Sequence, residues 1–356
     1  MTPGLVLYAP NVHTGGGVVL LHGLLAACPT DRLRAAFLDQ RARSELVLPA
    51  GIGSVEWVRP SASSRLGAER SLRAMTRSGD TVLCFHGLPP LLPNAGRVVV
   101  FQQNRNYLGL NPLSQFAPRT AVRLGFERLV GRMFRRRVAE YIVQTPTMAR
   151  DLAQWYRGGN AHAAPIRVLP FIDSLPAAIG STAPTATDWD FVYVSDGEAH
   201  KNHRCLLQAW RLLAEQGLRP RLALTLGPRD GSLVREVAAL HADCGVEVHN
   251  LGHLPREQIL RLYGAARALI FPSTSESFGL PLIEAQHLGV PILAPELDYV
   301  RDICSPAQTF DPHSPVSIAR AVRRFLALPE APLAIGRPVD LWRALLEGDA
   351  PASPQA

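Results

Sequence analysis

The sequence predicts an α/β protein built from two doubly wound halves. Three observations carry this. Short β-branched or apolar runs alternate with segments of helical period along the chain, the pattern of parallel sheets covered on both faces. The length, 356 residues, exceeds what one hydrophobic core usually fills. The stretch from Pro170 to Asp188, rich in Pro, Ser, Thr and Ala, has no period and divides the chain into halves of similar size, as a linker does.

In the first half, strands are expected at Leu5–Ala9, Leu46–Pro49, Thr81–His86, Arg97–Phe101, Glu140–Gln144 and Ile166–Leu169. In the second they are expected at Phe191–Ser195, Leu222–Gly227, Val246–His249, Ala268–Phe271 and Pro291–Ala294. Amphipathic helices fill the gaps. One follows Lys201, with Leu206, Trp210 and Leu213 on one face and Gly217 as its stop. The expected division is an N-terminal domain over 1–172, a linker over 173–188 and a C-terminal domain over 189–335. A helix over 336–349 would pack back on the first domain, and 350–356 would be a disordered tail.

Composition excludes other classes. With 47% hydrophobic and 19% charged residues, disorder, collagen-like repeats and coiled coil are ruled out as the main architecture. No apolar run reaches the ~20 residues that span a bilayer. The N-terminus lacks a basic region, and the apolar stretch from Gly17 to Cys28 is broken by His22 and Gly23, so no secretory signal is expected. The five cysteines are scattered without CxxC spacing, which argues against zinc and a disulfide framework. A cytoplasmic protein is expected. The net charge of +7 rests almost wholly on arginine. Lys201 is the only lysine, and Arg and Lys are not interchangeable where geometry is tight.

The strongest local signal runs from Phe271 to Ala285, FPSTSESFGLPLIEA. A strand ends at Phe271, a polar loop follows, and Gly279 and Pro281 mark a helix entry, where Pro is tolerated. The amides around Ser277, Phe278, Gly279 and Leu280 would point out of the helix N-terminus, a ready site for a phosphate or a polar sugar. Glu276 in the loop and Glu284 a turn into the helix would face the crevice at the strands' carboxyl ends.

Glu276 and Glu284, separated by seven residues, resemble the E-x7-E signature of retaining, nucleotide-sugar-dependent glycosyltransferases of the family four type. The flanking text agrees: Leu251-Gly252-His253-Leu254 before a helix over Arg256–Gly264, then Ala266 to Ser273, Gly289 to Leu293, and Phe310-Asp311-Pro312. The resemblance covers roughly Phe191 to Val322. It implies the GT-B fold, two Rossmann-like domains facing across a cleft, with the acceptor on the N-terminal side and the donor on the C-terminal side. By resemblance, Lys201 binds the donor diphosphate, Glu276 positions the donor sugar, and Glu284 holds the ribose hydroxyls. His253 and Ser195 fall among the donor contacts. Ser195 stands where the family carries Arg, so His200 or Arg229 would have to supply the second charge. The family's N-domain His finds no counterpart in the text.

Gly15-Gly16-Gly17 follows a strand and opens a helix, allowing close approach of backbone to ligand. It resembles the glycine-rich loop that faces the donor diphosphate. His86, Gln102, Gln103, Asn104 and Arg105 stand at strand carboxyl ends and are acceptor-side candidates. Asp188-Trp189-Asp190 has the form of a metal-binding DxD but precedes its strand, which fits a solvated strand entry. No metal and no cofactor are expected.

Arg119 to Arg137 holds seven Arg against Glu127, interleaved with Leu124, Phe126, Leu129, Val130, Met133 and Phe134. This predicts a basic amphipathic helix. Nucleic acid is not expected, since no reading motif accompanies it. A solvated face is one reading, and peripheral docking on an anionic membrane, at the inner face of the plasma membrane, is the other. The expected partners are a nucleotide-diphosphate sugar and a glycan or lipid-linked acceptor, in cell-surface polysaccharide synthesis from GDP-mannose or a UDP-sugar. A nucleotide-sugar 2-epimerase or hydrolase of the same fold, or a non-catalytic binding subunit, are the alternatives.

Overall fold

Two wholly parallel sheets organise the chain. The computed structural model describes residues 4–29, 31–110, 112–116, 118–157, 164–172 and 188–328. The first sheet takes β1 (Leu5–Ala9), β2 (Leu33–Asp39), β3 (Val55–Val58), β4 (Thr81–Cys84), β5 (Arg97–Phe101), β6 (Glu140–Val143) and β7 (Ile166–Val168). Its order is β3-β2-β1-β4-β5-β6-β7. The second takes β8 (Trp189–Tyr193), β9 (Leu222–Leu224), β10 (Val248–Asn250), β11 (Ala266–Ile270), β12 (Ile292–Pro295) and β13 (Gln308–Phe310), in the order β10-β9-β8-β11-β12-β13. Each order reverses once, between β1 and β4 and between β8 and β11. Open α/β sheets carry their ligand crevice at that point, beyond the strands' carboxyl ends.

The helices of the first domain are α1 (Gly15–Ala26), α2 (Ala62–Met75), α3 (Pro118–Phe134) and α4 (Pro146–Arg157). Those of the second are α5 (His203–Glu215), α6 (Gly231–Cys244), α7 (Arg256–Gly264), α8 (Leu280–His287), α9 (Asp298–Arg301) and α10 (Pro315–Phe325). The expected helix after Lys201 is α5. It buries Leu206, Leu207, Trp210 and Leu213 and turns Arg204, Gln208 and Arg211 to solvent, so the 3.6-residue period sets which face packs. Gly217 ends it with φ 77°, and Leu218 N donates to Leu213 O at 2.9 Å, a left-handed terminus that costs glycine little. Trp210, nearly inaccessible, satisfies its indole N–H on Pro220 O at 2.9 Å.

Some expectations are corrected. Leu46–Pro49 is not a strand: it follows a 3-10 turn at Gln40–Ala42, and Val47 is 72% exposed. The strands of that region are β2 and β3, and a further strand is β13. β2 is Leu-Arg-Ala-Ala-Phe-Leu-Asp, a string of good helix formers, yet every residue but Arg34 is buried. Burial on both faces of a central strand overrides local propensity there. The linker over 173–187, the helix over 336–349 and the tail lie outside the described residues.

Candidate functional site

The crevice is built at both reversal points. Beyond β8, a 3-10 turn at Ala199–Lys201 carries the lone lysine. Beyond β11, the loop to α8 carries Glu276. Adjacent strands thus deliver two residues far apart in sequence, and Lys201 Nζ donates to Glu276 Oε1 at 2.7 Å. Both side chains are largely buried, 16% and 10% exposed. Burial pulls the Lys201 ammonium down, but Glu276, Tyr193 and Asp196 outweigh it and hold the group above its ordinary value. The lysine is therefore charged.

The turn that aims Lys201 is tied on every side. Tyr193 Oη donates to Lys201 O at 2.7 Å and lies 3.1 Å from Ser273 Oγ. Thr274 N donates to His200 O at 2.8 Å. Asn202 follows with φ 63° and ψ 32°, a left-handed conformation that Asn tolerates better than most side chains. Its Nδ2 donates to Pro272 O at 3.1 Å and to Pro312 O at 2.7 Å, tying the turn to the loops after β11 and β13.

Glu284 lies in α8 and is 6% exposed. Burial raises its carboxyl above the ordinary glutamate range, opposed by Arg256 and by Tyr263. Arg256 Nη1 is 3.3 Å from Glu284 Oε1, and Tyr263 Oη donates to Oε2 at 3.3 Å. Gly279 caps α8 at φ 71°. From the other domain, Gly16 of α1 abuts this helix start so closely that a Cβ would stand 2.8 Å from Leu280 Cδ1. Gly15, at φ 61°, has open space where its side chain would be. Two helix N-termini, each a positive dipole end, thus meet at the crevice.

Residues 178–338 match the glycosyl transferases group 1 family. The match takes in the whole of the second sheet and its helices. A 119-residue stretch is 34% identical to O-antigen chain mannosyltransferase B of Escherichia coli, covering 33% of this chain and 31% of that one. A 207-residue stretch is 32% identical to the serotype-specific mannosyltransferase WbdA of Escherichia coli, covering 53% of this chain and 25% of that one. The chain thus spans about a third or less of the length of these curated relatives. The Anabaena HepE structure in complex with UDP and glucose superposes with a TM-score of 0.64 at 15% identity, over 91% of this chain and 90% of that one. The fold is GT-B.

Ser195 stands where the resemblance implies an arginine. Its Oγ lies 3.2 Å from His203 Nε2. His203 is kept neutral, its pKa pulled to about 3 by burial and by the charges of Lys201 and His200. His200 sits 3.5 Å from Glu198 and is likewise lowered by burial and by Lys201. Arg229, exposed in the turn Pro228–Asp230, is the guanidinium alternative. His253 is exposed, with its Cβ 3.9 Å from where a Gly227 Cβ would stand. The side chain of Phe278 packs into the apolar cluster of the first domain with Val12, Phe85 and Phe101. Asp190 accepts from Arg221 N at 2.9 Å and pairs with Arg267 at 3.0 Å. It therefore braces strand starts at the end of the sheet away from the crevice.

On the first domain, Gln103 Nε2 donates to Phe85 O and flanks Gly17, Gln102 Nε2 donates to Asn104 O, and Asn104 Oδ1 accepts from Asn106 N. His86 Nδ1 is 3.3 Å from Tyr8 O, and burial lowers its pKa to about 4. Sequence reasoning counted Arg256 and Tyr263 only as flanking text. The signal was their position on the helix that precedes β11, one element from the motif. Also unanticipated is His13, two residues before the glycine run, with Nδ1 3.7 Å from Asp39 Oδ2. Its pKa is lowered by burial and by Arg41, with Arg229 of the other domain adding to the effect.

Proposed function

We propose that the protein is a retaining glycosyltransferase that moves a sugar from a nucleotide-diphosphate sugar to a glycan or lipid-linked acceptor in cell-surface polysaccharide synthesis. The observation that carries this is the contact of Lys201 with Glu276 at the reversal point, 2.7 Å long, beside two helix N-termini. Breaking a glycosyl–diphosphate bond leaves negative charge on the phosphate and positive character on the anomeric carbon. Lys201 and the amides of the Gly15–Gly17 loop and α8 serve the first charge, and Glu276 serves the second. Arg229 takes the place of the cation missing at Ser195. The anomeric C–O bond to phosphate breaks as the acceptor oxygen bonds on the same face, and the acceptor proton passes to the departing phosphate oxygen. Protein groups supply the charge compensation, so the reading requires no metal ion. The mannosyltransferase relatives favour a mannosyl donor, and the UDP of the HepE complex keeps uridine sugars in the test.

Nucleoside diphosphates should raise the melting temperature, because a ligand that binds only the native state stabilises it by about 2.7 kcal/mol at a hundredfold excess over Kd. A panel of guanosine and uridine diphosphates and their sugars should show one strong responder. Glu284→Ala should lose that response, since the ribose hydroxyls lose their acceptor. Consumption of the responding sugar without acceptor would point to the epimerase or hydrolase, and binding without turnover to a non-catalytic subunit.

The same reading places α3 on an anionic membrane at the cytoplasmic face. No helix among the described residues is long and apolar enough to cross a membrane, so the contact is peripheral. Val122, Phe126, Leu129 and Met133 are 76%, 63%, 54% and 60% exposed, and their spacing sets them in one line along the helix. Leu124 and Val130 face inward. The helix ends at Phe134, and Arg135–Arg137 form a 3-10 turn. Fewer arginines are available than the sequence suggests. Arg123 pairs with Glu127, Arg128 donates to Asn106 O, Arg135 lies over Trp155 and Tyr156, and Arg137 donates to Pro90 and Leu91 carbonyls. Arg119, Arg132 and Arg136 remain exposed beside the apolar line. Each is worth about 1 kcal/mol near an anionic surface, so the apolar line has to supply the rest. Sedimentation with anionic vesicles at low salt should show binding that Phe126→Ser with Met133→Ser abolishes. Binding that survives both this pair and replacement of the three arginines by Gln would dismiss α3 as the anchor.

A further inference from the structure

We propose that Arg105 is a positioning residue that makes the geometry of Glu276 depend on closure of the crevice. The inference rests on the role given to Glu276 above.

Arg105 begins the 3-10 turn Arg105–Leu108 after β5, with Asn104 as its cap. It belongs to the first domain. Its guanidinium divides between two partners: Nε donates to Asp151 Oδ2 of α4 at 2.6 Å, and Nη1 donates to Ser275 Oγ at 3.0 Å. Its backbone N donates to Ser277 Oγ at 3.1 Å. A fourth contact comes from Thr145 of the same domain, whose Oγ1 donates to Ser277 O at 3.4 Å. Ser275 and Ser277 are the residues on either side of Glu276. The first domain therefore holds the peptide on both flanks of the carboxylate, while Lys201 of the second domain holds its tip.

This division of labour has a physical consequence. Lys201 and Glu276 lie on one domain, so their bond is indifferent to the distance between domains. The bonds to Ser275 and Ser277 exist only with the domains together. Asp151 fixes the guanidinium so that its remaining donors point across the gap, and a planar fork with a preset direction loses little freedom when it engages. Two further cross-domain bonds, Thr147 N to Asp302 Oδ2 and Arg150 to Asp298, each at 2.8 to 2.9 Å, hold the same approach from the neighbouring rim. They do not reach the Glu276 loop, so they secure closure without orienting the carboxylate. Arg105 does both. A Glu276 loop pinned only when the crevice is shut would confine productive chemistry to a closed site, away from water.

The test uses the full chain with its donor and acceptor, with Glu276→Gln as a control. Arg105→Ala should lower kcat by about a hundredfold, the size expected when a reacting group shifts by about an ångström, while Kd for the nucleoside diphosphate stays within about twofold. Arg105→Lys should recover only part of kcat, because an ammonium does not reproduce the fork that spans Asp151 and Ser275. Ser275→Ala should lose a smaller share, and added to Arg105→Ala should cost nothing more, the signature of one shared contact. Arg150→Ala, which removes a rim bond alone, separates general closure from orientation: it should leave kcat within about threefold. If Arg105→Ala keeps normal kcat, or loses nucleotide affinity in proportion, the proposal is overturned. So too if Arg150→Ala matches it. If Glu276→Gln itself keeps turnover, the role of Glu276 has failed, and that result is distinct from the others.

Discussion

Glu276→Gln should cut transfer by about a thousandfold while nucleotide affinity stays nearly unchanged. The substitution keeps volume and shape and removes one charge. In the proposed reaction that charge faces the anomeric carbon, which becomes cationic only as the phosphate bond breaks. An interaction realised in the transition state alone affects kcat and spares binding. Loss of one preorganised charge or donor at such a centre costs about 3 to 4 kcal/mol. Lys201 is the partner at 2.7 Å, and an amide oxygen can still accept from it, so the lysine stays in place. Single-turnover rates with labelled donor, alongside calorimetry with the nucleoside diphosphate, give both quantities. Normal turnover would remove Glu276 from the chemistry, and a matching loss of affinity would place it on the nucleotide.

The second large effect is expected at Lys201, and it has two parts. An ammonium has three donors. One goes to Glu276, leaving two for phosphate oxygens, so Lys201→Ala should weaken nucleoside diphosphate binding by about 2 kcal/mol, roughly thirtyfold in Kd. The same change strands a carboxylate that is 10% exposed. Removing one member of a buried pair costs about 3 kcal/mol because the remaining charge has no partner. Lys201→Met combined with Glu276→Gln should recover most of that stability without restoring affinity. The two losses are thus separable by denaturation and calorimetry. The lysine is held above its ordinary value, so its contribution is complete at lower pH and falls away only as the solution becomes strongly alkaline. Nucleotide affinity should show no lysine titration between about pH 6 and pH 9. A loss of affinity centred in that range and absent from Lys201→Ala would contradict the assignment.

The sequence resolves some elements better than others, for identifiable reasons. β1 and β5 are apolar runs with polar boundaries, and their observed limits are the expected ones. β2 went unseen because Leu-Arg-Ala-Ala-Phe-Leu-Asp carries helix propensity, and only its place in mid-sheet makes it a strand. Leu46–Pro49 shows the converse: strand-like composition without a neighbouring strand to pair with. At the crevice, Lys201 was legible as the only lysine and Glu276 through its motif. Their contact was not, because it depends on β8 lying beside β11. Arg105 was legible as polar and near the crevice. That it grips the flanks of Glu276 follows from the distance between the two domains, which no local pattern encodes. Seven arginines looked like a uniform charge, and only side-chain contacts separate those turned inward from those left outside.

Asn202 shows what the Lys-Asn dipeptide is made of. The asparagine meets two demands at once: a backbone at φ 63° and an amide that donates to two carbonyls, Pro272 O and Pro312 O. Glycine would satisfy the first demand and fail the second. Gln would offer the amide from a backbone that resists the turn, and Asp would offer acceptors to acceptors. The lysine's charge is chemistry, while its neighbour is joinery. Half of this dipeptide is therefore spent on holding the other half still. A distant sequence that kept the lysine and lost the asparagine would retain the cation and forfeit its address.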